Sequence, residues 1–242
     1  MSEKLLFGIL SFSALVPAIM LHEIAHGLAA LWCGDRTAKE AGRLSLNPIR
    51  HVDPFMSVIL PAVLALSGSR VLFGGAKPVP IDLSRCRNPL QAYWVTAIAG
   101  PLCNLVQAVV GILLFKGLDA LWQGAEAGSW LTSVSAPTPV NGELVVWIGP
   151  APWLQWTLVW LYLYVCTNAM LMIFNLLPVP PLDGSRIVTV LLRGEARLAY
   201  VRLERVGMLL VFALLWFPQT GRFLGTLLRG FLRLFGMEDP FG

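Results

Sequence analysis

The residues that could do chemistry stand together near the start of the chain, as His22-Glu23-Ile24-Ala25-His26. Two histidines four apart on a helix lie about 40° apart around its axis, so both imidazoles face one way. They can reach one metal ion. Glu23 lies beside them, where it can take a proton from a water molecule at that ion. The chemistry indicated is metal-assisted hydrolysis. A blander alternative is a pair of satisfied core histidines with a buried glutamate. The setting argues against it. The motif sits in an apolar run from Leu5 to Leu31, where a carboxylate and two imidazoles are unfavourable unless something pairs with them. One Zn2+ ion would pair with both imidazoles.

A hydrolytic zinc takes three protein ligands and keeps one position for water. His51 is the one remaining histidine, and it lies in a polar connector. Cys33, Cys86, Cys103 and Cys166 form no C-x-x-C pair and read as small buried residues. Of the 14 acidic residues, only Glu23 and Asp183 are set in long apolar surroundings away from a run of charge. With Glu23 as base, Asp183 is the candidate third ligand. It also stands where it could cap a helix beginning at Ser185, and one carboxylate can serve both ends.

The elements that must position these residues belong to a membrane protein. Of the 242 residues 56% are hydrophobic and 13% charged, with a mean hydropathy of +0.69. A soluble domain carries about 25% charged residues. The expected fold is an all-α polytopic membrane protein, a transmembrane helix bundle with a short strand or re-entrant connector near the active site. It should form one membrane-embedded domain over residues 1–242, with a catalytic core near 5–193 and C-terminal helices near 200–235. The net charge of +4 does not suggest nucleic acid. The cations gather at the ends of apolar segments, as topology signals do.

Leu5–Leu31, Leu90–Leu118 and Trp153–Leu177 read as membrane helices. His22 falls about 26 Å along the first, near its exit end. Pro17 is expected to kink that helix, and Ala25, Gly27, Ala29 and Ala30 allow a neighbour to approach closely. The second contains Ala99-Gly100-Pro101-Leu102-Cys103-Asn104. Asn104 is a polar group at membrane depth, and one reading is an interhelical hydrogen bond. The third ends in Asn175-Leu176-Leu177-Pro178-Val179-Pro180-Pro181-Leu182-Asp183-Gly184. Its prolines stop the helix, and irregular backbone at depth survives where it is buried in protein or lines a wet cavity. Between helices, Gly42–Pro48 alternates weakly and suggests a short strand. Gly74–Pro80 should be extended. Residues 119–151 hold no Lys or Arg and read as a loosely ordered linker. Val206–Phe217 is apolar, and Phe223–Phe235 reads as an amphipathic interfacial helix.

His22-Glu23-x-x-His26, Ala99-Gly100-Pro101-x-x-Asn104 and Asn175…Pro181-Leu182-Asp183-Gly184, in this order, resemble the site-2 protease family of intramembrane zinc metalloproteases. The likeness runs from about residue 15 to 190 and is closest to small members without a PDZ or CBS domain. It implies His22, His26 and Asp183 as ligands of one Zn2+ and Glu23 as catalytic base. It implies that Asn175 lies near the substrate backbone or the oxyanion, with Asn104 a further candidate. The implied partners are the lipid bilayer and a transmembrane protein or peptide, cut in or near its membrane segment. An unwound substrate needs backbone partners, and an edge strand near Leu44–Leu46 would supply them. A competing reading is a membrane metal carrier or scaffold with the same ligands. A carrier needs more polar groups along a path, and beyond the site mainly Asn104, Asn168 and Asn175 are available. An inactive relative that chaperones membrane helices would not need Glu23.

The linker without cations should face outside, and the cationic connectors at 34–54 and 69–90 should face the cytosol. The active site then lies toward the cytosolic side, in the plasma or inner membrane of a prokaryote. Phe55–Leu66 offers about 12 apolar residues with Pro61 inside, where a crossing needs about 20. With cationic flanks on both sides it is expected to re-enter rather than cross, the alternative being a short tilted crossing.

Overall fold

A computed structural model describes residues 3–51, 53, 77–125, 138–140, 143–145 and 152–237. The expected re-entrant segment Phe55–Leu66 and the glycines at 74 and 75 lie outside the described residues. Helix α1 spans Glu3–Cys33, with Pro17 inside it. A one-turn helix, α2, follows at Thr37–Glu40. Helix α3 runs over Pro89–Ala125. Strands β1 (Thr138–Val140) and β2 (Glu143–Val145) pair antiparallel. Helix α4 covers Pro152–Asn175. Four shorter helices complete the chain: α5 (Asp183–Leu191), α6 (Gly194–Arg202), α7 (Gly207–Trp216) and α8 (Pro218–Leu234).

Three of these helices hold segments long and apolar enough to cross a membrane: Leu6–Cys33, Pro89–Ala120 and Trp156–Asn175. Large apolar side chains such as Phe12 and Leu113 point outward, 64% and 65% exposed, as lipid-facing residues do. The protein is an integral membrane protein built from helices.

The residues gather into two compact units. One comprises Met1–Ala18, Asn104–Ile173 and Leu215–Gly242. In its core Ile112, Tyr162, Val165, Leu232 and Met237 pack together, so α8 lays its apolar face on α3 and α4. Its polar groups answer one another. Asn104 Nδ2 donates to Asn168 Oδ1 (2.8 Å) and to the carbonyl of Ala18 (3.3 Å). Asn168 Nδ2 donates to the carbonyl of Tyr164 (2.9 Å), and the Tyr164 hydroxyl donates to Gln107 Oε1 (2.6 Å).

The other unit comprises Ile19–Cys103 and Phe174–Leu214. Its connectors are tied by buried Asp35, whose carboxylate accepts from Thr37 N (2.9 Å), the Thr37 hydroxyl and Asp82 N (2.7 Å). The expected strand over Gly42–Pro48 is not formed. Ser45 Oγ takes the Asn47 N–H and Asn47 Oδ1 takes the Ile49 N–H. Such local bonds compete with a strand ladder, and Pro48 opens a short 3-10 turn through His51 instead.

After α4 the prolines leave Val179 as the only N–H donor among residues 178–181, and it bonds to Leu177 O (2.8 Å). Leu182 is the N-cap of α5, so Asp183 is its first helical residue and not its cap. Arg197 on α6 donates to the carbonyls of Thr189, Val190 and Leu192. That satisfies carbonyls which the end of α5 leaves open. Tyr200 donates to Pro178 O (2.8 Å). The short helix bearing Asp183 is therefore fastened on both sides by α6.

Candidate metal centre

One helical turn of α1 supplies His22 and His26, and the first residue of α5 supplies Asp183. Their ligating atoms all lie within 4.8 Å of one another, and all three residues are buried. His22 Nε2 and His26 Nε2 are 3.0 Å apart, and Asp183 Oδ2 is 3.3 Å from each. His26 Nδ1 lies 2.6 Å from the carbonyl of Thr96 on α3. A carbonyl only accepts, so Nδ1 carries the proton and the neutral ring keeps its lone pair at Nε2. Asp183 Oδ2 is buried and has no hydrogen-bond donor. Burial works to raise the Asp183 pKa. The facing imidazoles of His22 and His26, when protonated, outweigh it and hold the carboxyl below its usual range.

The Nε2 lone pair of His26, the Nε2 of His22 and a carboxylate oxygen of Asp183 thus converge at one buried point. That arrangement is unfavourable by itself and suits a cation. Two imidazoles and one carboxylate are a donor set for zinc that leaves a fourth position open.

Two glycines make the approach possible. A Cβ on Gly100 would lie 2.4 Å from His26 Nε2 and 2.5 Å from His22 Cε1, so α3 presses bare backbone against both rings. A Cβ on Gly184 would lie 2.3 Å from Leu176 O, so the start of α5 tucks under the end of α4. Glu23, one residue from His22, accepts a hydrogen bond at Oε2 from the backbone N–H of Val79 (2.9 Å). Residues 77–80, which form neither helix nor strand, therefore reach the motif through Val79.

The other sequence candidates fall elsewhere. His51 is buried, with Nε2 2.8 Å from Ser45 O, and is not part of the cluster. Asn175 is the last residue of α4. Asn104 belongs to the other unit, and both hydrogens of its amide are engaged there. Thr96, Gly100 and Val79 take part through backbone atoms or through lack of a side chain. Of these only Gly100 left a sequence signal, as a small residue permitting close helix contact.

The sequence of Peptidase family M50 is matched over residues 10–218. The chain belongs to this family. It is the site-2 protease family, and its metalloproteases use zinc. Among similar M50 proteins, one named "Putative zinc metalloprotease YwhC", from Bacillus subtilis (strain 168), is 33% identical over 86% of this chain and 80% of its own length. One named "Putative zinc metalloprotease Rip2", from Mycolicibacterium smegmatis, is 28% identical over 96% of this chain and 76% of its own. A Rip2 of Mycobacterium tuberculosis (strain H37Rv) is 27% identical over 86% and 68%. No solved structure matches the chain.

Proposed function

We propose that this M50 protein is an intramembrane zinc endopeptidase that cuts peptide bonds in or beside the membrane segments of protein substrates. The observation that carries the proposal is the buried convergence of Asp183, from α5, with His22 and His26, which stand with Glu23 on a helix able to cross a bilayer. His22 Nε2, His26 Nε2 and an Asp183 carboxylate oxygen would hold one zinc ion. Bound there, zinc supplies Lewis acidity, which polarises a peptide carbonyl and brings the pKa of water toward about 7.

The chain's own groups do the rest. Glu23 accepts a proton from the attacking water. A C–O bond forms at the scissile carbonyl, the C–N bond breaks, and Glu23 returns the proton to the departing amine. Asn175 is assigned to donate to the carbonyl oxygen or the substrate backbone as charge develops. The carbonyl of Thr96 holds the His26 ring so that Nε2 stays available. The connectors at 34–54 and 69–90 carry Arg36, Lys39, Arg43, Arg50, Arg70, Lys77, Arg85 and Arg87, whereas 119–151 carries no cation. By the positive-inside rule the site faces the cytosol.

The test is Glu23→Gln. It should abolish cleavage of a transmembrane peptide in detergent while zinc content, measured by atomic absorption, stays at the wild-type level. Unchanged turnover would remove Glu23 from catalysis.

A further inference from the structure

Arg43 was a connector cation in the sequence, one of several that report topology. In the structure it is buried, 8% exposed, and its guanidinium is surrounded by carbonyls. Nη1 donates to the carbonyl of Arg50, and Nη2 donates to those of Lys77 (2.6 Å) and Pro78 (3.2 Å). A planar cation with five donors in a fixed fork is well suited to gather three carbonyls from two separate stretches of chain.

The segment so gathered is Lys77-Pro78-Val79-Pro80. Its two prolines have no N–H, so it owns only two backbone donors. Lys77 N bonds to His51 O (2.8 Å). Val79 N bonds to Glu23 Oε2 (2.9 Å). Both backbone donors in the segment are engaged, and the carbonyls of Lys77 and Pro78 are held by Arg43. Packing agrees with the bonding. A Cβ on Gly27 would lie 2.6 Å from Leu44 Cδ2 and 3.1 Å from Val79 Cγ1, so the chain beside Arg43 and the chain it holds both press on the motif helix.

From this we infer that Arg43 is a positioning residue for Glu23. It fixes the Lys77–Pro80 segment so that the Val79 N–H holds one carboxylate oxygen of Glu23 and turns the other toward the reacting water. The segment serves as a holder for the base. Its 77–78 carbonyls are occupied and do not pair with an incoming strand. The inference rests on Glu23 as catalytic base, and it predicts effects on kcat rather than on zinc.

The experiment compares the full chain as wild type, Arg43→Gln and Arg50→Gln, purified in detergent with zinc. Arg50→Gln is the control, because among the described residues that side chain bonds only to Gly42 O in the same loop. Three quantities are read: kcat and KM on a transmembrane peptide, zinc per chain, and hydrogen exchange at the Val79 amide. Arg43→Gln should lower kcat about 100-fold, the scale of a catalytic group misplaced by about 1 Å. KM and zinc content should stay near wild type, and Val79 exchange should accelerate. Arg50→Gln should resemble wild type throughout. Wild-type kcat in Arg43→Gln, or a loss of kcat that only follows loss of zinc, overturns the inference. If Arg43→Gln does not fold, Arg43→Lys decides, because it keeps the charge and loses the planar fork. Val79 exchange must then accelerate with the structure intact, and unchanged exchange overturns the inference. Exchange does not depend on catalysis, so the two failures are distinct: an active Glu23→Gln overturns the catalytic reading, and an unresponsive Val79 amide overturns the inference alone.

Discussion

Both compact units bury polar side chains among apolar helices, and they treat them in opposite ways. In the unit containing Asn104 and Asn168, donors meet acceptors: amide to amide, amide to carbonyl, hydroxyl to amide. In the unit containing His22, His26 and Asp183, three groups able to ligate a cation converge, and Asp183 Oδ2 has no hydrogen-bond partner. A buried polar atom left without its partner costs about 1–3 kcal/mol. A set that answers itself needs no ligand and can be explained by helix packing. A set of ligating atoms held together around an unpartnered carboxylate oxygen suits a cation. Polarity at membrane depth therefore has two meanings, separated by whether donors and acceptors complement one another.

The largest expected effect comes from breaking the convergence. Asp183→Ala removes one of the three converging groups and should lower both zinc affinity and turnover by about 100-fold or more. His51→Ala should change neither, because its ring lies outside the cluster. Zinc titration of both variants checks this. Zinc lost from His51→Ala and kept by Asp183→Ala would reverse the choice of third ligand.

The next effect sets the same steric insult in both units. Gly100→Ala would place a Cβ 2.4 Å from His26 Nε2, and Gly111→Ala would place one 2.9 Å from Val165 Cγ2. Each overpacks its surroundings by about 1–3 kcal/mol. Only Gly100→Ala should also weaken zinc binding, by about 10–100-fold, because the rings themselves must move. Equal zinc affinities in the two variants would show that the glycine at 100 serves packing alone.

In the self-satisfied unit the effect should be smaller. Asn168→Ala removes the acceptor of Asn104 and should lower stability by about 1 kcal/mol. Zinc content and turnover per folded molecule should be kept. A large fall in turnover would give these amides a role in the reaction that their hydrogen bonds do not suggest.

The motif helix, the break after α4 and the candidacy of Asp183 were legible because each depends on side-chain chemistry in a local setting. His22, Glu23 and His26 declare themselves by spacing, and Asp183 by its apolar surroundings. The length of α3 was not legible. It continues to Ala125, where falling hydrophobicity suggested that it stopped near Leu118. Helix formers without proline carry it on. The expected strand near Leu44–Leu46 failed because Ser45 and Asn47 bond their own backbone, a competition that alternation of apolar residues does not reveal. Arg43 was misleading in another way. Charge in a connector signals topology, and nothing local shows that three carbonyls will collect around it. The carbonyl of Thr96 and the N–H of Val79 are common to all residue types, so no residue letter could have pointed to them.

The smallest effect concerns a second buried aspartate in the unit that contains His22, His26 and Asp183. Asp35, like Asp183, has a pKa below the usual value, but for a different reason. Burial works to raise it. The Thr37 hydroxyl and N–H, the Asp82 N–H and the charge of Arg85 together outweigh burial. Its neighbours are donors, so it is satisfied where Asp183 is not. A carboxylate whose folded pKa is depressed stabilises the protein fully above its unfolded pKa, and that stabilisation fades as pH falls through the folded value. Asp35→Ala should therefore lower stability by about 1–3 kcal/mol at pH 7. The gap to wild type should narrow as pH drops below 3.8, the ordinary aspartate value. Thermal unfolding in detergent from pH 7 downward measures the gap, and zinc content at pH 7 separates the two aspartates. Asp35→Ala should keep its zinc, since Thr37 and Asp82 bind no metal with it. A gap that stays constant down to low pH would mean that the Asp35 charge contributes nothing. Zinc loss at pH 7 would mean that the connector it ties also shapes the metal centre.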